Sequence, residues 1–383
     1  MPATTFADPA VAEFRREVTA WLQKAIPTEW RERGDSLPMD EEIEIRRQWD
    51  RQLFDAGYAG LSWPEEFGGR GLGVIEDFTF NDVAARMDAP EGLGRVGRLL
   101  TGPAIIHHGT PEMCARFLPP ILKGEEIWCQ GFSEPGAGSD LASLRTRATR
   151  DGDVYRIEGQ KVWTTYAQFS DWCLLLARTG DKDSRSRGIS LMLVPMRQPG
   201  VEVRPLINIT GTHEFNEVFF DGAQTTTDLL VGEENKGWAV SGTILTHERG
   251  VGFGAIALNQ LHGYIRLFTE HCAAHAPAIA ARLPEFTTRV ELLRWQMMRS
   301  LEKMAGGNPD PRSSTVLKVT WSELVQEIVH VAAYAGCPVH SELYRNRLLF
   351  HRASTIVSGT SEIQRNIIGE RVLGLPREGS SKS

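Results

Sequence analysis

A chain of 383 residues, 41% apolar and 24% charged, has room for two or three domains and needs neither metal nor disulfides to hold a core. The formal net charge of −7 argues against a nucleic-acid partner, because no basic stripe is present to neutralise phosphates. Five scattered cysteines without a C-x-x-C pair, no basic-then-apolar start and no apolar run of ~18 residues together predict a cytoplasmic protein with no signal peptide and no membrane span.

From about residue 8 to 125, apolar residues recur at helical spacing, as in Val11, Phe14, Val18, Leu22 and again in Ile43, Ile45, Trp49, Leu53. Turn residues over 63–71 break these helices. Between about 128 and 228 the period shifts towards two, with short runs at 154–157, 162–165, 172–176 and 189–193 separated by glycine-containing turns. These predict antiparallel strands of a small barrel or sandwich. Helical periodicity returns near 236–272, 283–305, 313–336 and 341–355, predicting a C-terminal bundle, and the tail 378–383 is polar. The class is therefore α+β: an N-terminal helical domain (1–125), a central antiparallel β barrel or sandwich (126–230) and a C-terminal four-helix bundle (231–383).

Three patterns lack the context that their chemistry requires. Gly92-Leu93-Gly94-Arg95-Val96-Gly97 satisfies G-x-G-x-x-G, yet no strand precedes it and no βαβ unit surrounds it. His271 and His275 share a helical face without a third ligand, and His107-His108 has none either.

Four segments carry more. In Gln130-Gly131-Phe132-Ser133-Glu134-Pro135-Gly136-Ala137-Gly138-Ser139-Asp140, small residues expose amide donors and Ser133 and Ser139 add hydroxyls. That suits a planar heterocycle or a phosphate, and equally an interdomain loop. In Lys161-Val162-Trp163-Thr164-Thr165, strand alternation puts the indole on one face, either over a flat ring or in the core. In Thr246-His247-Glu248-Arg249-Gly250, Glu248 shares a helical stripe with Ile244, Leu245, Gly252, Ala255 and Ile256. Desolvation there raises a carboxylate's pKa and makes it a better base, unless it is simply paired with an arginine. Finally, Ser361 with Gln364 makes a capping-box pattern after Ser358-Gly359-Thr360, so either a plain helix start or a donor site for a developing oxyanion follows.

Taken in this order, the segments resemble the acyl-CoA dehydrogenase family along nearly the whole chain. The matches are Ser133–Asp140, Gly152-Asp153 through Lys161-Val162-Trp163-x-Thr165, Phe220-Asp221-Gly222 running to Leu230-Val231-Gly232-Glu233 and Gly237-Trp238, and Gly359–Arg365. The resemblance implies FAD between the β domain and the bundle, and α,β-dehydrogenation of an acyl-CoA thioester. A carboxylate would remove the α proton as the β hydride passes to the flavin, with electrons going on to an electron-transfer flavoprotein. By the same resemblance Gln130, Phe132, Ser133, Gly138 and Ser139 line the isoalloxazine and thioester side. Trp163, Thr164 and Thr165 cover the other face, Thr360 and Glu362 approach from the C-terminal loop, and Ser358 with Gly359 meets the thioester oxygen.

Two departures matter. Most members place the catalytic glutamate immediately before the Gly-Thr, where this chain has Ser358; a minority, including isovaleryl-CoA and long-chain acyl-CoA dehydrogenases, carry it at the position matching Glu248. The base is therefore assigned to Glu248. The Arg-x-x-Phe-Gly and Gly-Gly-x-Gly segments by which family homotetramers reach FAD in a neighbour are eroded to Arg266-Leu267-Phe268 and Ala333-Tyr334-Ala335-Gly336-Cys337-Pro338. This resembles α2β2 sterol side-chain dehydrogenases of actinobacteria, in which one subunit gives the base and the other completes the FAD site; a homo-oligomer with a looser adenine site is the alternative. Gly250, Gly252, Gly254, Ala255 and Ala257 either leave room for a branched or ring-bearing acyl group or permit close helix packing.

Overall fold

A computed structural model describes residues 4–34, 37–247, 253–272, 276, 280–334 and 341–376. Two compact units emerge, one of residues 1–22, 73–87 and 249–383, the other of residues 23–72 and 88–248.

The second unit holds a seven-stranded sheet: β1 (Trp128–Gly131), β2 (Arg147–Asp151), β3 (Val154–Thr165), β4 (Trp172–Arg178), β5 (Ile189–Pro195), β6 (Val201–Leu206) and β7 (Phe215–Thr226). The order is β1-β4-β2-β3-β7-β6, with β5 on β4. Four of the pairings are antiparallel, as the hairpin turns predict, whereas β1 and β2 run parallel to β4. The long β2–β3 hairpin lies between β1 and β4 in sequence and supplies the crossover that a parallel pair needs. Strands β4 and β5 are buried almost throughout, which explains their unbroken apolar runs. Strand β7 alternates more regularly and has one face in a core with Tyr155, Ile157, Met192 and Val194.

Glycines let these layers close. A Cβ on Gly131 would lie 2.7 Å from Cys173 Sγ and 3.0 Å from Leu175 Cδ1, so β1 meets β4 only with glycine there. A Cβ on Gly237 would strike the Ser190–Leu191 backbone within 2.3 Å, which seats the start of the helix Gly237–His247 against β5. In the helical part of the same unit, Gly94 N–H and Arg98 both bond the buried Asp50 carboxylate, and a Cβ on Gly92 would collide with it. The G-x-G-x-x-G string therefore wraps a side chain, as its missing βαβ context predicts.

The first unit packs Phe78, on the helix Val74–Arg86, with apolar faces of the helices Phe253–Leu267, Leu283–Ala305 and Pro311–Tyr334. Asp82 is buried and bonds Arg15, Arg86 and Asn259, tying that helix to its neighbours. Ala255 and Ala257 lie in this core, and a Cβ on Gly254 would come 2.5 Å from Met297 Sδ. At these three positions small residues serve helix packing, the second of the two roles open to them; Gly250 and Gly252 lie outside the described residues. No described helix is long and apolar enough to cross a membrane.

Candidate active site

In the β-sheet unit, the loop after β1 is a tight turn held by a buried ion pair. Glu134 and Ala137 exchange both backbone hydrogen bonds across Pro135-Gly136. The Glu134 carboxylate accepts from the Arg145 and Thr146 N–H groups and from Lys161 Nζ at 2.8 Å. Lys161, fully buried, also donates to the Phe132 carbonyl at 3.0 Å. Burial alone would raise the Glu134 pKa, but the Lys161 ammonium and the surrounding donors outweigh it and hold the carboxyl below its ordinary value. Burial pulls Lys161 down, against the opposing pull of Glu134. The pair fixes Phe132 and Ser133 in place; Val162 N–H adds a bond to the Ser133 carbonyl.

What this clamp presents is open. Gly138 and Ser139 are exposed and Gln130 and Ser133 half-buried, while Phe132 turns its ring into the interior. A Cβ on Gly136 or Gly138 would meet nothing within 4 Å. Open glycines with exposed amides, bordered by two serine hydroxyls, fit a flat heterocycle edged with carbonyls, as in the isoalloxazine of FAD. Gly138→Ala is therefore expected to leave the melting temperature unchanged yet lower the flavin-to-protein ratio, read by absorbance of the purified protein.

Trp163 departs from plain alternation. Between Lys161↔Val218 and Thr164↔Asn216, β3 advances three residues while β7 advances two. The extra residue makes a bulge in which Trp163 takes φ +61°. Left-handed backbone costs a non-glycine residue about 1–2 kcal/mol, and here it leaves the indole 59% exposed, edge-on to Phe215 at 6.0 Å. A core role for this tryptophan is thereby excluded. Thr164 is buried with its Oγ1 unpartnered among the described residues, and Thr165 is half-buried.

In the helical unit, Thr360 caps the short helix Ser361–Ile367, its hydroxyl accepting from Ile363 N–H at 3.2 Å. The expected Ser361–Gln364 capping box is corrected. The cap lies one residue earlier, and Gln364 reaches back instead to the Ser358 carbonyl at 3.1 Å. Ser358 and Gly359 both have positive φ, +52° and +94°, and the chain must turn there before a helix can start, which moves the cap. Glu362 is exposed in the first helical turn, and its own amide and the Thr360 hydroxyl hold its carboxyl below the ordinary value. Glu248 lies outside the described residues, as do His275 and residues 335–338 of the eroded glycine segment. Among the described residues no cluster of His, Cys, Asp or Glu could hold a metal ion.

Sequence reasoning had no role for the Glu134–Lys161 pair. The signal was present: Tyr155, Ile157 and Lys161 share strand parity, so the lysine falls on the buried face and needs a counter-charge.

Comparison with known proteins covers all of these segments. The model for the N-terminal domain of acyl-CoA dehydrogenases matches residues 8–125, that for the middle domain 129–223 and that for the C-terminal domain 235–373. Acyl-CoA dehydrogenase IpdE1 of Mycobacterium tuberculosis is 43% identical over 381 residues, covering 96% of this chain and 98% of its own. The solved ChsE4-ChsE5 complex from Mycobacterium tuberculosis has a chain 28% identical with TM-score 0.84, covering 97% of this chain and 99% of that one. A chain of the Tcur3481-Tcur3483 steroid ACAD is 25% identical, also with TM-score 0.84, over 98% and 100% of the two chains.

Proposed function

The chain belongs to the acyl-CoA dehydrogenase family, FAD-dependent oxidoreductases of acyl-CoA thioesters, and on that premise we propose that Glu248 is the base that removes the α proton of its substrate. FAD, when bound, supplies the acceptor for the hydride leaving the β carbon. Gln130, Phe132, Ser133, Gly138 and Ser139 line the ring and the thioester side, the Phe132 contribution coming from its backbone. Trp163, Thr164 and Thr165 cover the opposite face of the ring, and Thr360 and Glu362 approach it from the C-terminal loop. The Ser358 N–H, with Gly359 beside it, holds the thioester oxygen, where negative charge grows as the α proton departs.

The observation that carries this reading is Ser358. It stands directly before Gly359-Thr360, where most of the family has its glutamate, and a serine hydroxyl is too weak a base for a C–H proton. A chain that keeps the rest of the site needs its carboxylate elsewhere, and Glu248 is the position at which a minority of the family carries it.

Substrate and assembly follow the relatives. The Tcur3481-Tcur3483 structure is a steroid ACAD, and ChsE4-ChsE5 is a complex of two named chains. Together with the eroded Arg266 and Gly336 segments, this supports a branched or ring-bearing acyl-CoA as substrate and an α2β2 tetramer in which a second, related chain completes the FAD site. Electrons then leave to an electron-transfer flavoprotein, in the cytoplasm where CoA thioesters and reduced flavin carriers meet. The test is co-expression with a related chain, flavin content per chain, and anaerobic titration with a panel of acyl-CoA thioesters. Loss of flavin absorbance with a branched or steroid-type thioester, and none with free CoA, is expected; no bleaching by any thioester would overturn the assignment.

A further inference from the structure

The Ser358–Gly359 turn is supported from within its own unit by side chains to which the chemistry above gives no part. Two consecutive positive φ values make this a conformation that surrounding structure must impose. Gln364, 0% exposed, donates from Nε2 to the Ser358 carbonyl at 3.1 Å, while its Oε1 has no partner among the described residues. Upstream, Gln326 Nε2 donates to the His351 carbonyl at 2.8 Å and to Thr355 Oγ1 at 3.0 Å. Ser361 N–H donates to the Thr355 carbonyl at 2.9 Å. The buried His351 ring bridges the hydroxyls of Tyr264 and Ser354, and burial lowers its pKa to about 4, so it bridges as a neutral imidazole. The segment is thus fixed at 351, 355 and 358.

A trans peptide points its C=O and N–H in opposite directions. Holding the Ser358 oxygen therefore sets the direction of the Gly359 N–H, which has no partner among the described residues. We propose that Gln364 is a positioning residue that orients the Ser358–Gly359 peptide so that the Gly359 N–H meets the thioester oxygen, beside the Ser358 N–H, as charge develops on it. The role rests on the reading of Ser358 and Gly359 as donors to the thioester. A donor displaced by about 1 Å costs on the order of 10²-fold in rate, so a side chain that never touches substrate can still govern turnover.

Two variants test it in the FAD-loaded protein, co-purified with its partner chain where one is required. Gln364→Met keeps the volume and removes the donor. Gln364→Glu keeps the shape and can donate only while its carboxyl is protonated. Acetoacetyl-CoA is the probe, since its bound enolate is read by absorbance as pH is raised. In Gln364→Met the midpoint for enolate formation should rise by about one pH unit, a tenfold shift, and kcat should fall about 10- to 100-fold. KM, flavin content and melting temperature should stay near wild type. Gln364→Glu should match it at high pH and recover towards wild type as pH falls. An unchanged midpoint and kcat in Gln364→Met would overturn the proposal. So would a parallel loss of flavin, melting temperature and activity in both variants with no recovery at low pH. Wild-type protein that binds no acyl-CoA would instead overturn the functional reading, and this role with it.

Discussion

Replacing Glu248 with glutamine should lower kcat on the best acyl-CoA by on the order of 10²- to 10⁴-fold, the range over which a positioned general base contributes. The substitution is nearly isosteric, so flavin content and melting temperature should match the wild type. An amide cannot accept the α proton, and Ser358 cannot replace it. The same prediction separates catalysis from assembly. If this chain only completed a partner's FAD site, Glu248→Gln in the co-purified complex would be silent, and wild-type bleaching in that variant would end the assignment. Stopped-flow reduction under anaerobic conditions reads the chemical step directly.

Lys161→Met should produce the largest loss of stability, about 3–5 kcal/mol, read as a lowered denaturation midpoint. The methionine fills the volume but leaves Glu134, 7% exposed, without its cation and the Phe132 carbonyl without its donor. Removing the acid as well should not restore the protein, because Glu134 also satisfies the Arg145 and Thr146 N–H groups, which would then be orphaned. The pH dependence has a definite sign. Glu134 is depressed in the folded protein, so its contribution is present above its ordinary value of 4.5 and is lost as pH falls through the lower folded value. Lys161→Met should therefore flatten the acid limb of the stability profile. An acid limb identical to the wild type would show that the pair carries none of it.

Much of this was legible because it depends on period and on local chemistry. The shift from a 3.6-residue to a two-residue period near 128, and its reversal after 228, marks where helices give way to the sheet and resume. The misleading G-x-G-x-x-G string could be set aside from its neighbours alone. What escaped depends on pairing at long range. Lys161 and Glu134 are 27 residues apart, and only the β3 strand brings them together. The parallel pairing of β1 with β4 is equally non-local, since nothing in Trp128–Gly131 states which edge it will join. The Thr360 cap was missed for a different reason: Ser361 has the better capping-box spacing, but the left-handed Ser358–Gly359 turn brings the chain into the helix one residue sooner.

The added residue at Trp163 has a consequence for how this strand can change over evolutionary time. Lys161 and Trp163 are both odd-numbered, yet one is fully buried and the other faces solvent; two residues on, Tyr155-like parity no longer predicts facing, and it is Thr164 that points inward. The bulge acts as a phase step in the strand. Deleting Val162 would restore an unbroken ladder with β7 and take Trp163 out of its left-handed position while the sheet remained intact. Substitutions at the exposed positions of β3 can be tolerated one at a time, but its length in this stretch cannot drift, because a one-residue change would keep the fold and lose the turn that presents the indole.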